Sequence, residues 1–291
     1  MLDDRLSSGM KLMHRYGAGD QELFRKHSGS LDTLSYVYKP SYPMLWDQEE
    51  EIHLYEGKEG LYVYQMASDT FLMPFSRDME KAVKELEWLR GEEGLSSPVA
   101  FIPDNYSSFF PKASRDMDSD EYLYYSEKLI RLSGKHLQAK RNHISQFERS
   151  FTYSFQALGK NDFDECIDLD RSWEEEKDQQ YIEELEHERK AIRNAFDSWD
   201  SFGFSGATIK IDGRIIAFTV GEKVSDKEGI IHFEKADTSY IGSYATINHH
   251  FIATYFSDLE TINRQEDMGV EGMRKAKKSY HPYRMLEMWR E

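Results

Sequence analysis

The chain has 291 residues, 39% hydrophobic and 14% aromatic, which suffices for a sizeable core and excludes general disorder. A formal charge of −16, from 53 acidic against 37 basic residues, excludes the broad basic face of a general nucleic-acid binder; a local basic pocket survives, because salt screens charges beyond roughly 8–10 Å. One cysteine rules out an intrachain disulfide, and no apolar run approaches the roughly 20 residues of a membrane span.

No charged-then-apolar leader opens the sequence, so the expectation is a cytoplasmic protein without an integral membrane segment. Residues 1–19 are polar and rich in Gly and Ser, with some helix expected. Pro40 and Pro43 interrupt regular structure before a hairpin of 51–54 and 61–66, joined by the turn-rich 56–60. Residues 71–74 read as a third short strand. Met79, Ala82, Val83, Leu86 and Leu89 recur at helical spacing, so 78–89 is helical. A buried strand at 99–103 and another within 121–132 complete a first half that mixes strands and helices.

A connecting helix over 137–151 puts Leu137, Ile144, Phe147 and Phe151 on one side. A strand at 151–157, a helix at 162–173 and a longer helix at 182–199 follow. The clearest strand signal is 207–211, where inward and outward residues alternate; Asp212-Gly213 makes a two-residue turn, and 214–220 returns. A break at 226–229 leads to the strand 230–236, completing a three-strand meander. A helix, a short strand and a last helix close the chain. The two halves share this order of elements without an alignable repeat, consistent with two copies of one α/β unit divided near 133–136, giving 1–135 and 136–291.

Three strings carry a resemblance. They are Phe233-Glu234-Lys235-Ala236, the run 262–269 from Ile262-Asn263-Arg264 to Asp267-Met268-Gly269, and the run 272–282 from Gly272-Met273-Arg274 to Tyr280-His281-Pro282. With Lys140-Arg141-Asn142 and Phe147 in the connecting helix, they resemble an uncharacterised bacterial family related to the phosphatidylglycerol lysyltransferase C-terminal domain. The resemblance implies two tandem GCN5-related N-acyltransferase (GNAT) domains, each a mixed, mostly antiparallel sheet flanked by helices, with the active cleft in the second. It also implies an acyl- or aminoacyltransferase whose donor is acyl-CoA or aminoacyl-tRNA and whose acceptor is an amine or hydroxyl. Its rivals are a non-catalytic module that binds a small anionic ligand or a protein, and a CoA-dependent small-molecule N-acetyltransferase.

Polar groups crowd element ends that should be buried, and such groups need partners or a ligand. Arg274, Lys275, Lys277 and Lys278 form the densest basic cluster. Arg274 shares a helical face with Lys277 and Lys278, which suits one phosphate, of CoA, a lipid or the tRNA acceptor end; alternatively the cations only offset the helix dipole. Asn263, Arg264 and Asp267 lie between a strand and a helix, where Arg264 reads as a ligand for a carboxylate or phosphate and Asp267, like Glu266, equally as a helix cap. Glu234 shares a strand face with His232 and is the candidate base, its alternative being a structural ion pair with Arg264 or with the neighbours of Lys235. Tyr280 is the candidate proton donor to the leaving group, or an aromatic anchor. Gly242 and Ser243 stand where acetyltransferases bind pyrophosphate, but Tyr244 is bulky where a small residue is usual. His249-His250 point about 100° apart on a helix and read as no metal site, and Cys166, among carboxylates, reads as a poor nucleophile.

Overall fold

A computed structural model describes residues 10–174 and 182–291. The chain divides into two compact units, 10–120 with 286–291, and 121–285. The division precedes the expected 135/136 boundary because Glu121–Tyr125 pairs with Thr261–Asn263, which commits it to the second unit.

In the first unit, strands His14–Arg15, Ile52–Glu56, Leu61–Gln65, Thr70–Leu72 and Val99–Ala100 lie side by side in that order. All pairings are antiparallel except the last. Phe24, Tyr38, Tyr62, Phe71 and Phe75 fill the core, so aromatic area replaces aliphatic bulk. The expected helix spans Met79–Glu93; Asp78 caps it by accepting the Lys81 amide at 3.2 Å, and Gly94 ends it in the left-handed region. The strand expected at 99–103 is broken at Phe101, whose φ is +54°. Its second piece, Ile102–Pro103, joins Met288–Arg290 and Ser114–Arg115 in a small separate sheet.

In the second unit one sheet runs from the edge strand Arg284–Leu286 through Glu121–Tyr125, Thr261–Asn263, Glu228–Ala236, Arg214–Lys223 and Ser205–Ile211 to Ser154–Ala157. Asp212 and Gly213 both take positive φ, 50° and 80°, as the tight turn between the meander strands requires. Helix Ser243–Tyr255 lays Ala245, Ile247, Phe251 and Ile252 against the sheet, and helix Gln138–Ser150 contributes Ile144 and Phe147 to the same core. Gly242 opens the first of these helices with φ +98°. Helices Phe163–Glu174 and Ile182–Asp197 are present; the side chain of Ile182 and the charged side chains of 174–177, which the sequence suggests for a solvated helix face, lie outside the described residues. Among the described residues no helix is long and apolar enough to cross a membrane.

Strand Glu228–Ala236 pairs in parallel with Thr261–Asn263 over only three positions, Glu228↔Thr261, Gly229↔Ile262 and Ile230↔Asn263. Beyond Ile230 the longer strand continues to Ala236 while its partner ends. This gap positions the candidate site.

Candidate functional site

Two side-chain bridges cross the gap. Period-two alternation puts His232 and Glu234 on one strand face. Arg264, the residue after the shorter strand, donates from Nη2 to Glu234 Oε1 at 2.9 Å, and Asn248 of helix Ser243–Tyr255 donates to Glu234 Oε2 at 2.7 Å. Beside this bridge, Gln265 Nε2 meets His232 Nδ1 at 3.2 Å, and His232 Nε2 meets Glu222 Oε2 at 2.9 Å. Glu234 is thus an engaged carboxylate, the structural alternative that the sequence left open; a substrate must displace Arg264 or Asn248 to meet it.

Cations gather over aromatic faces behind the bridges. The Arg264 guanidinium lies 4.8 Å from the Tyr280 ring centroid and 5.8 Å from that of Tyr124, and Lys140 Nζ lies 3.9 Å from the Tyr280 ring. Lys277 Nζ donates to the Glu266 carbonyl and sits 5.8 Å from the Tyr122 ring. Burial drives both lysines down to about 8, Arg264 adding repulsion to each, while Glu234 opposes the shift at Lys140 and Glu266 opposes it at Lys277. Burial pushes the Tyr280 phenol up to about 12 against the pull of Arg264, so it is protonated at neutral pH. Lys140, Arg264 and Lys277 gather here with Glu234 acting on Lys140, and with Glu266, Asp267 and Glu188 acting on Lys277. Arg264 Nη1 is buried without an acceptor among the described residues. Such an arrangement accepts an anion.

The other sequence candidates divide. Asp267 is buried and holds Arg274 at 2.7 and 2.9 Å, the Tyr122 hydroxyl, and the Gly269 amide at 3.0 Å. It is not a helix cap, since the next helix begins at Glu271. Arg274 is spent on Asp267, and Lys275 and Lys278 are exposed. The expected convergence of Arg274, Lys277 and Lys278 on one anion is therefore absent: only Lys277 turns inward with Arg264. Asn263 binds Glu121 and accepts the Gln265 amide, which shapes the loop. At the helix opening, Ser243 uses its amide on Tyr240 and its hydroxyl on Asp237, and the Tyr244 hydroxyl takes the Ala236 amide.

His249 and His250 join the Ile130 carbonyl to the Tyr153 hydroxyl through each other at 2.9, 3.2 and 2.9 Å. Among the described residues no group of three metal-binding side chains occurs. Burial, with Asp162 and Glu165 adding to it, pushes the Cys166 thiol well up. Two surface clefts, of about 340 Å³ beside Lys26, His27 and Arg77 and about 660 Å³ beside Lys223, Asp226 and Asp258, are lined by other residues. The side chains of Arg264, Asn248 and Gln265 span the strand gap. Sequence reasoning missed Lys140, Asn248 and Gln265 as members of this group. Lys140 stood in a quoted motif, three residues after Leu137 and four before Ile144, so helical spacing already placed it within the apolar stripe of its helix, and that interruption was the signal that could have found it.

The family model described as "Phosphatidylglycerol lysyltransferase, C-terminal" matches residues 29–290. A crystal structure of a conserved protein of unknown function from Bacteroides thetaiotaomicron VPI-5482 is similar over 96% of this chain and 98% of that one, with 27% identity and a TM-score of 0.86. The structure of L-PGS from Bacillus licheniformis covers 95% of this chain and 92% of its own at 13% identity, with a TM-score of 0.65. An acetyltransferase from the GNAT family of Colwellia psychrerythraea covers 96% and 98% at 9% identity, with a TM-score of 0.52. The fold is accordingly GNAT-like, with antiparallel-dominated mixed sheets and flanking helices, as expected. Uncharacterized protein MYCGA3080 of Mycoplasmoides gallisepticum is 29% identical over 172 residues, 56% of this chain; the chain spans about half, 53%, of that curated relative.

Proposed function

We propose that this chain, which belongs to the phosphatidylglycerol lysyltransferase C-terminal family, transfers an aminoacyl group from aminoacyl-tRNA to an amine or hydroxyl. The observation that carries the reading is the gathering of Lys140 and Arg264 on the Tyr280 ring, with Lys277 beside them at the Glu266 carbonyl, by the strand gap of a strongly acidic protein. It suits the terminal phosphates of an RNA donor without a broad basic surface. In the reaction, the acceptor nitrogen or oxygen attacks the ester carbonyl, a new amide or ester bond forms, and the bond to the ribose oxygen breaks. Glu234 receives the acceptor's proton once a substrate has displaced one of its partners. Tyr280, protonated at neutral pH, gives a proton to the leaving oxygen. Arg264 and Lys277 hold the anionic part of the donor.

A second reading, an acyl-CoA donor, draws on the strand–turn–helix at Ala236–Ser243 with its Gly242 opening; Tyr244, bonded to Ala236, weighs against it. The test is a thermal-shift and transfer panel with lysyl-tRNA, acetyl-CoA and glycerol phosphate. A tight donor raises the midpoint by mass action. We expect lysyl-tRNA to do so and Glu234→Gln to lose transfer while keeping donor binding. A response to acetyl-CoA alone supports the second reading, and unchanged transfer by Glu234→Gln removes the base from the mechanism.

A further inference from the structure

The bridge from Glu222 through His232 to Gln265 has a chemical polarity of its own. The His232 side chain is 1% exposed and that of Glu222 10%, so both are largely withdrawn from water. A carboxylate only accepts, so the proton on His232 Nε2 points at Glu222 and, in the neutral ring, Nδ1 is left with its lone pair. Gln265 can meet that lone pair only with its amide nitrogen, as observed at 3.2 Å. Its Oε1 then has no donor among the described residues. The loop fixes the side chain's origin: Gln265 takes a left-handed φ of +56°, its amide donates to Asn263 Oδ1 at 2.7 Å, and its carbonyl accepts from the Tyr122 amide at 3.2 Å.

We propose that Gln265 determines the specificity of the strand gap, its carboxamide held by the buried Glu222–His232 pair so that Oε1 accepts a hydrogen bond from the ammonium or hydroxyl group of the acceptor substrate. This deepens the transferase reading and rests on it for the word "acceptor". His232 is a positioning residue. The charged groups facing this bridge are Glu222 on the neighbouring strand, Glu234 two residues along the same strand face, and Arg264 next to Gln265.

The test is solution NMR of the whole protein with ¹⁵N-labelled histidine and glutamine. At pH 8 we expect the His232 proton on Nε2 and none on Nδ1. Titrated ethanolamine, an ammonium and hydroxyl donor, should shift the Gln265 side-chain amide signal, and acetate, an acceptor only, should not. Gln265→Leu should weaken ethanolamine binding roughly tenfold, the loss of one hydrogen bond to a charged group. Gln265→Glu keeps an acceptor and should retain binding if the leucine variant fails to fold. A proton on Nδ1, a shift with acetate instead, wild-type ethanolamine affinity in folded Gln265→Leu, or loss of that affinity in folded Gln265→Glu overturns the proposal. These readouts need no turnover, so an absent transfer activity with ethanolamine bound refutes the transferase reading and leaves this one standing.

Discussion

A side-chain carbon at Gly242 would lie 2.3 Å from the carbonyl oxygen of His143. Helix Ser243–Tyr255 therefore reaches the backbone of helix Gln138–Ser150 at the one place where no Cβ intervenes, and φ of +98° there disfavours other residues independently. Gly242→Ala should destabilise the chain by roughly 2–4 kcal/mol, combining backbone strain with overpacking against a main-chain atom. A urea melt measures it; a midpoint within error of the wild type would show that the two helices can part at no cost.

Glu234 and Arg264 are both largely withdrawn from water, 10% and 12% exposed. Removing one partner of such a pair strands the other, so Glu234→Ala should cost about 3–5 kcal/mol. Glu234→Gln keeps an acceptor for Arg264 and should cost less than half of that. Denaturant midpoints of the two variants decide this, and equal losses would mean that the charge, which both variants remove, carries the whole effect and the hydrogen bond that Gln retains carries none of it.

Lys140 carries a charge toward Tyr280 with no carboxylate bound to it among the described residues. Burial holds its folded pKa at about 8, below the ordinary 10.5. Above about pH 8 the unfolded chain binds more protons here than the folded one, so this residue's penalty shrinks as pH rises. Lys140→Met should therefore stabilise the protein by about 1 kcal/mol at pH 7, with the advantage diminishing at pH 9, while weakening anion binding. Melts at the two pH values measure the difference; a variant less stable at both would show that contact with the ring outweighs burial.

Acid should act in two stages. Burial, with His249 beside it, holds His250 below 6.5, so the unfolded state gains protons first as pH falls through about 6.5 and stability declines below that point. Burial raises Asp267, but Arg274, Tyr122 and the Gly269 amide outweigh it and hold the acid below 3.8. Its contribution is complete above about 3.8 and is lost as pH falls further, through the lower folded value. His250→Gln should flatten the first stage and leave the second, as read from stability measured between pH 7 and 3. A first decline that persists unchanged in that variant would assign it to other groups.

Local chemistry made some elements legible. Asp212-Gly213 demanded a tight turn and forms one, and the apolar period from Met79 to Leu89 gave a helix. The aromatic run 122–125 reads as core strand; Tyr122, Leu123 and Tyr124 are buried, while Tyr125 is half exposed. Short strands such as Met288–Arg290 were not legible, since three residues hold no period and their pairing is set by distant partners. The site was legible as a neighbourhood and not as an arrangement. Polar residues at 263–267 announced that partners were needed, but which cations of the last helix turned inward depended on tertiary packing: Lys277 did, while Lys275 and Lys278, of the same type, did not.

The sheet made from Ile102–Pro103, Met288–Arg290 and Ser114–Arg115 ties the two ends of the sequence into one unit. During synthesis the first 120 residues emerge long before their missing strand, so that unit has to wait, incompletely paired, while all of 121–285 is made. A fragment cut after Asp120 should likewise expose the edges that residue 289 would have covered. Restoring the last six residues as a separate peptide is then the natural way to rescue it.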